Sequence, residues 1–290
     1  MTERRRLFLL LSPYLLGLTV LILVPGIVTF AMSLFDWDLI TPPEFTGLDN
    51  FRELAGDGLF RISLRNSLSF AAWAVPLRLL GALGLALLLH RRFRGVGAYR
   101  TAAWIPTVIP DVAYGLVWLW ILNPLYGPLN LLLEAVGIGA KNWLSDPTSA
   151  QAAVVLMSAF TIGEGFLVAL ATRQELPEEL YEVASVEGAS PLRVFRKVTL
   201  PLMAPTLLLL LFRDTVFSMQ ASFVPALIVT GGGPPPNSTT YLPLFAYENA
   251  FEFLRYGYAA AATLVMFAVT AAIVGVQWLL VRRYRRAFVL

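Results

Sequence analysis

Six apolar runs, each about twenty residues or longer, alternate with segments that hold most of the charge in this 290-residue chain. They extend from Leu7 to Phe30, Leu68 to Leu89, Ala102 to Leu122, Ala152 to Ala171, Leu202 to Thr230 and Tyr258 to Val281. About 20 apolar residues in a helix cross about 30 Å of hydrocarbon, so each run is long enough to span a bilayer. In lipid the backbone polar groups find partners only among themselves, which leaves helices and closed barrels. Unbroken apolar runs lack the alternation of a barrel strand. With 57% hydrophobic and 14% charged residues, the chain also has more apolar surface than a soluble fold of its size hides. The expectation is an all-α membrane protein with six transmembrane helices, a single membrane domain over residues 1–290.

Orientation follows from lysine and arginine, which are retained in cytoplasmic loops. Arg4, Arg5 and Arg6, then Arg91, Arg92, Arg94 and Arg100, then Arg173, Arg193, Arg196 and Lys197, and finally Arg282, Arg283, Arg285 and Arg286 all fall on one side of the six spans. The opposite loops hold Arg52, Arg61, Arg65, Lys141 and Arg255. Both termini and the segment between spans four and five are therefore expected in the cytoplasm. Topology then explains the formal net charge of +3, with acidic lipid headgroups as neighbours and no nucleic-acid partner. Three arginines before an apolar run also fit a signal peptide, but the run is too long and lacks a small-residue cleavage site, so a retained first helix is expected. The chain has no cysteine and one histidine, His90, read as an interfacial side chain at a helix end; no disulfide or metal site is expected.

Between spans four and five the chain is charged and sharply punctuated. Pro177, Glu178 and Glu179 suit a first helical turn, where a missing N–H costs little and carboxylates meet the positive dipole end. Gly188 supplies a left-handed exit. Ser190 and Pro191 read as the N-cap and first position of a second short helix, which Pro201 is expected to close. Residues 173–201 thus form two short helices about a glycine elbow. On the other side, Trp37 between Asp36 and Asp38 suits the membrane interface. Gly47 to Phe51 and Asn123 to Gly127 read as turns into short helices, and Gly231 to Pro236 as a breaker cluster.

Glu182, Ala184, Glu187, Gly188, Ala189, Phe195, Leu200 and Pro201 fall in order and spacing on a known pattern. The segment resembles the EAA motif of the inner-membrane permease subunits of binding-protein-dependent ABC importers. Val183 replaces an alanine and Glu187 a commoner aspartate, both keeping size or charge. Further stretches, Thr46-Gly-Leu-Asp-Asn-Phe51, Leu64-Arg-Asn66, Phe93-Arg94, Tyr99-Arg-Thr101, Trp143-Leu-Ser-Asp-Pro147 and Thr230-Gly-Gly-Gly-Pro234, look like the carbohydrate branch of that family and extend the resemblance over almost the whole chain. The branch includes permeases for maltose and other oligosaccharides and for glycerol-3-phosphate and its diesters. The resemblance implies a type I ABC importer permease fold in a bacterial or archaeal cytoplasmic membrane, with 173–201 as the loop that couples to a separate ATPase subunit. It implies that Glu182 offers a carboxylate to a cationic ATPase side chain, that Gly188 shapes the elbow, and that Phe195 with Val194 and Val198 is an apolar anchor. Packing of Phe195 against the chain's own helices is the other reading. The implied assembly contains a second, commonly nonidentical permease, two ATPase subunits that carry ATP and Mg, and an extracytoplasmic solute-binding protein.

The chain itself has no Walker A loop, since Lys141 and Lys197 lack the Gly-rich approach and the following Ser or Thr. No cofactor and no covalent catalysis are expected on it. Arg78, Asp111, Glu164, Arg213, Asp214 and Gln220 lie inside the spans, where an ionisable side chain costs a few kcal/mol and must face protein or a wet cavity. Thr161 and Glu164 precede the coupling segment; Arg213, Asp214, Phe217 and Gln220 follow it. Related maltose permeases bind sugar from these two helix regions, so these six residues form the candidate substrate pathway, with hydrogen-bonding groups and one aromatic face. Structural ion pairs among Arg78, Asp111, Arg213 and Asp214 are the alternative. Pro76, Pro106 and Pro110 read as tolerated kinks, and Trp118 and Trp120 as interface or packing residues. The expected function is import of a sugar or oligosaccharide by alternating access, with glycerol-3-phosphate or its diesters as alternative cargo. Two rival classes remain. An ion-coupled secondary transporter using Asp111, Glu164 or Asp214 leaves the docking segment without a purpose, and a membrane-embedded enzyme lacks a catalytic constellation.

Overall fold

Proline widens or breaks several of the apolar runs in the computed structural model, which describes residues 3–288. Helix α1 (Glu3–Leu18) continues through a widened turn at Thr19–Leu23 into α2 (Val24–Met32). Pro25 follows directly: its missing N–H and its ring are absorbed where the Val24 N–H reaches back five residues to the Thr19 carbonyl. The chain then makes a two-stranded antiparallel hairpin, β1 (Phe35–Asp36) on β2 (Glu44–Phe45), which the turn-only reading of this loop does not contain. A short α3 (Asp49–Gly56) leads to α4 (Gly58–Leu89), which starts at Gly58, not Leu68, because Asp57 caps it. The Asp57 carboxylate accepts the Leu59 and Phe60 N–H groups at 2.7 and 3.2 Å.

The third run is not the single helix expected over residues 102–122. Helix α5 (Val96–Trp104) tightens into a 3₁₀ turn at Ile105–Val108 and meets α6 (Asp111–Ile121) at 104°. Pro110 forces Ile109 into an extended conformation and ends the helix, more than the tolerated kink read from the sequence. Helix α7 (Pro128–Ala135) lies in the loop beyond, held by Asn130, whose amide donates to the Pro124 and Lys141 carbonyls and accepts from the Trp143 indole. The fourth run is also bent, by 43°, between α8 (Pro147–Ala159) and α9 (Gly163–Glu175). Gly163 is required at that bend: a Cβ would come within 2.7 Å of Thr107 Oγ1 and 2.9 Å of Trp104 Cα.

Helices α10 (Glu179–Val186) and α11 (Pro191–Val194) lie within residues 173–201, and α12 (Leu200–Ala221) follows. Pro201 does not close the second short helix. Widened turns at Phe195–Thr199 and Pro225–Thr230 accommodate Pro201 and Pro225, so Pro191–Thr230 is one helical span of 40 residues. The loop after it is tied down: the Asn66 amide donates to the Asn237 and Thr240 carbonyls, and Gln151 to Asn66 and the Ser238 carbonyl. Helix α13 (Leu242–Tyr247) precedes the last span, α14 (Tyr256–Phe288). Among the described residues, four segments are long and apolar enough to cross a membrane unbroken, Leu7–Met32, Gly58–Leu89, Pro191–Thr230 and Tyr256–Arg283, and there are six when each bent pair counts as one.

The chain divides into two compact units, Met1–Arg61 with Leu242–Val269 and Ile62–Tyr241 with Thr270–Leu290. In the first, the Asn50 amide donates to the Ser33 and Phe35 carbonyls, and Tyr258 donates to Asp57 at 2.6 Å beneath Arg255, which pairs with Glu53. Burial raises the Asp57 pKa, but the Tyr258 hydroxyl, the two backbone N–H groups and Arg255 outweigh it and hold the carboxyl below its ordinary value. In the second, α4, α9 and α12 pack around Phe166, Met203 and Leu210. Lipid tails compete equally for apolar side chains, so close approach matters more here than burial, and Ala82, Ala86 and Ala169 provide it. The side chains of Arg4, Arg6, Arg285 and Arg286, used above for orientation, lie outside the described residues.

Candidate functional site

The end of α10 is fixed by two backbone hydrogen bonds: Ala189 N–H donates to the Ala184 carbonyl at 2.9 Å and Gly188 N–H to the Ser185 carbonyl at 3.0 Å. This pairing needs a left-handed residue, and Gly188 has φ +71°. Ser190 has the extended backbone of an N-cap, although its hydroxyl makes no capping bond to α11. The elbow is anchored from beneath by Tyr181, whose hydroxyl lies 3.1 Å from Thr199 Oγ1 while its ring carries the Arg173 guanidinium at 4.2 Å.

The motif residues separate by exposure. Ala184 is buried and Ala189 half-buried, whereas Glu182, Glu187, Gly188, Leu200 and Pro201 are exposed. Phe195, for which two readings stood open, packs half-buried against the core of α4, α9 and α12. Val194 and Val198 are half-buried with it. The outward apolar surface comes instead from Leu180, Val183 and Val186 along α10 and Leu192 on α11, with Val186 90% exposed. Sequence reasoning missed these four; their signal was the three-residue spacing of 180, 183 and 186 on a short helix flanked by glutamates.

The intramembrane charges form one chain of contacts. Arg78 on α4, 3% exposed, donates from Nη2 to Ser218 Oγ at 2.6 Å and to the Asp214 carbonyl at 3.1 Å, with Nε 3.8 Å from Asp214 Oδ2. Arg213 Nη1 lies 3.4 Å from Asp214 Oδ1, and Nη2 pairs with Glu164 of α9. Both guanidiniums lie near the Phe217 ring, at 5.2 and 5.8 Å from its centroid. Two cations and two anions thus compensate each other. Arg78, Thr161, Arg213 and Asp214 help to line a cavity of about 10 Å³, room for about one water. On the other side of Arg213, Phe217 and Gln220 join Phe212 and Val216 in a shallow open groove along α12.

All six pathway residues therefore meet at Arg213: Thr161, Arg213 and Asp214 line the cavity, Arg213, Phe217 and Gln220 line the groove, and Glu164 joins them through its pair with Arg213. Asp214 is buried behind them, paired with Arg78, and Asp111 stands apart, exposed on the first turn of α6. Thr161 sits in the break between α8 and α9, not on a helix, its hydroxyl bonded to the Ser158 carbonyl. Ser218 was not singled out in the sequence, although it lies one turn beyond Asp214 on the same helix face.

Residues 79–286 match the family of binding-protein-dependent transport system inner membrane components. The chain belongs to that family. The permease is 34% identical over 267 residues to a probable ABC transporter permease, YesP, of Bacillus subtilis, covering 91% of this chain and 86% of that protein. It is 32% identical over 281 residues to the trehalose/maltose transport system permease MalF of Thermococcus litoralis, covering 96% and 94%. Its fold is that of a solved bacterial alginate ABC transporter in complex with an alginate pentasaccharide-bound periplasmic protein: TM-score 0.82, 22% identity, 96% of this chain and 94% of that one. The permease is thus a transport component, not an enzyme, of an inner-membrane, binding-protein-dependent system with the type I importer fold.

Proposed function

We propose that this permease forms half of the transmembrane pathway of an ATP-driven importer that receives a sugar or oligosaccharide from a solute-binding protein, with the coupling segment 173–201 and both termini in the cytoplasm. The observation that carries this reading is the α10–Gly188–α11 elbow, rigid beneath through Tyr181 and Thr199 and presenting Leu180, Val183, Val186, Leu192 and Glu182 outward. Such a surface suits the cleft of an ATPase subunit. Two ATPase copies would bind ATP and Mg, close, and move the elbow, and a second permease would complete the pathway.

Sugar is favoured over glycerol-3-phosphate or its diesters by the state of Arg213. Its charge is paired with Glu164 and approached by Asp214, so the groove offers the Phe217 face and the Gln220 amide to hydroxyl-rich cargo without a free cation for phosphate. The same pairing weakens the ion-coupled alternative, because Glu164 already has a partner. The test is purification of the chain under mild detergent from its own host. An ATPase and a second permease should co-purify, and ATP hydrolysis should rise when sugar-loaded binding protein is added. Recovery of the chain alone, with solute uptake driven by an ion gradient, would overturn the proposal.

A further inference from the structure

The hairpin between α4 and α5 lies outside everything assigned so far. Its chemistry begins with an imbalance: no acidic residue occurs between Asp57 and Asp111, while His90-Arg-Arg-Phe-Arg94 follows immediately on the last turn of α4. Arg100 folds back and donates from Nε and Nη2 to the Leu89 carbonyl at 3.1 and 2.7 Å, satisfying the end of α4 and complementing its dipole. Gly95, at φ +89°, lets the chain reverse, and the Val96 N–H closes the turn on the Phe93 carbonyl. With Arg100 occupied inside, Arg91, Arg92 and Arg94 are left exposed, and none forms an ion pair among the described residues. Phe93 and Tyr99, also exposed, stand with ring centroids 5.9 Å apart beside them.

We propose that Arg91, Arg92 and Arg94, flanked by Phe93 and Tyr99, form a binding site for the phosphate headgroup of an anionic phospholipid. Position supports a lipid over a soluble anion. Leu89 ends a membrane span, so the guanidiniums stand at headgroup level, and Tyr99, with an apolar ring and a wet hydroxyl, suits that depth beside the apolar Phe93. The local potential is positive as well. Burial lowers the His90 pKa, the Leu87 carbonyl opposes this, and the Arg173, Arg91 and Arg100 charges lower it further. The proposal uses the orientation given above only to name the cytoplasmic leaflet.

The test reconstitutes the whole importer in nanodiscs of phosphatidylcholine containing phosphatidylglycerol, then extracts and quantifies the lipid that the complex retains through detergent. Both nanodisc faces carry the same lipid, so a wrong orientation does not affect the result. The wild type should retain phosphatidylglycerol preferentially, less so in high salt, and R91Q, R92Q and R94Q should each lower the preference by about fivefold. F93A/Y99A should weaken retention without changing its salt dependence. The proposal is overturned if R91Q/R92Q/R94Q retains as much phosphatidylglycerol as wild type, or if R282Q/R283Q at the other basic end loses just as much. It is equally overturned if the triple variant sheds the ATPase with lipid preference intact, which would make the arginines part of a protein interface.

Discussion

Asp214 and Glu164 are both carboxylates paired with arginine, yet removing them has different consequences. Asp214→Ala strands the Arg78 charge in the protein interior, which costs about 3–5 kcal/mol when a buried pair is broken. The complex should show a lower melting temperature or fail to assemble. The Glu164–Arg213 pair is largely exposed, and such pairs contribute about 1 kcal/mol or less to stability, so Glu164→Ala should leave melting nearly unchanged. If Glu164 and Gln220 line the pathway, Glu164→Ala and Gln220→Ala should nonetheless reduce transport and cargo-stimulated ATP hydrolysis in an intact complex. Normal transport by both would remove these residues from the pathway. The sequence identified the ionisable residues but not their pairing, because pairing depends on how α4, α9 and α12 pack, and nothing in the local pattern of α12 says which side of Asp214 faces α4.

At the scale of the element, residues 173–201 were partly legible. Glycine at the elbow is a local signal, realised by the left-handed Gly188 and the two hydrogen bonds that end α10; of Pro177, Glu178 and Glu179, read as a first turn, only Glu179 lies in α10, with Glu178 at its N-cap and Pro177 before it. A Cβ at Gly188 would meet nothing within 4 Å, so Gly188→Val acts only through the backbone, at about 1–2 kcal/mol for a left-handed bulky residue. It should weaken ATPase attachment, whereas Gly188→Asn should be tolerated. Val183→Asp and Val186→Asp should detach the ATPase with the fold unchanged, measured by co-purification and circular dichroism; Glu182→Ala should weaken the attachment. Full attachment in all of these variants would refute the docking surface. Less legible was the effect of proline. Pro201 and Pro110 carry the same local signal, but one is absorbed in a widened turn and the other ends its helix. At Pro110 the 3₁₀ turn over Ile105–Val108 and the extended Ile109 leave no continuous ladder to rejoin, whereas α12 runs on through Pro205 as well as Pro201.

For the whole molecule, the orientation expected from charge asymmetry can be tested cleanly because the chain has no cysteine. Single cysteines at Arg94 and Ser185 should be shielded from an impermeant thiol reagent in intact cells, and one at Asp49 should label. Labelling of Ser185 from outside would reverse the orientation and remove the docking segment from the ATPase. Six spans could be read from hydropathy, whereas the 104° and 43° bends could not, since a hydropathy window averages over the one or two residues that make a break.

The two helices that flank the elbow differ mechanically. On the α9 side, the backbone break at residues 160–162 is a joint, where a push from below can be taken up as rotation. On the other side, Pro191–Thr230 is a helical run of 40 residues, about 60 Å at 1.5 Å per residue, with only the widened turn at Phe195–Thr199 between α11 and Arg213, Phe217 and Gln220. A displacement at the tip of α11 would reach those side chains along one helical run, and Glu164, at the start of α9 on the elbow side of the break, would move with α9 while α8 beyond the break is left free. The Glu164–Arg213 pair ties the first turn of α9 to the long rod, so under the proposed function a stroke at the elbow would be delivered to both arms together, and the α8–α9 joint would take up the difference.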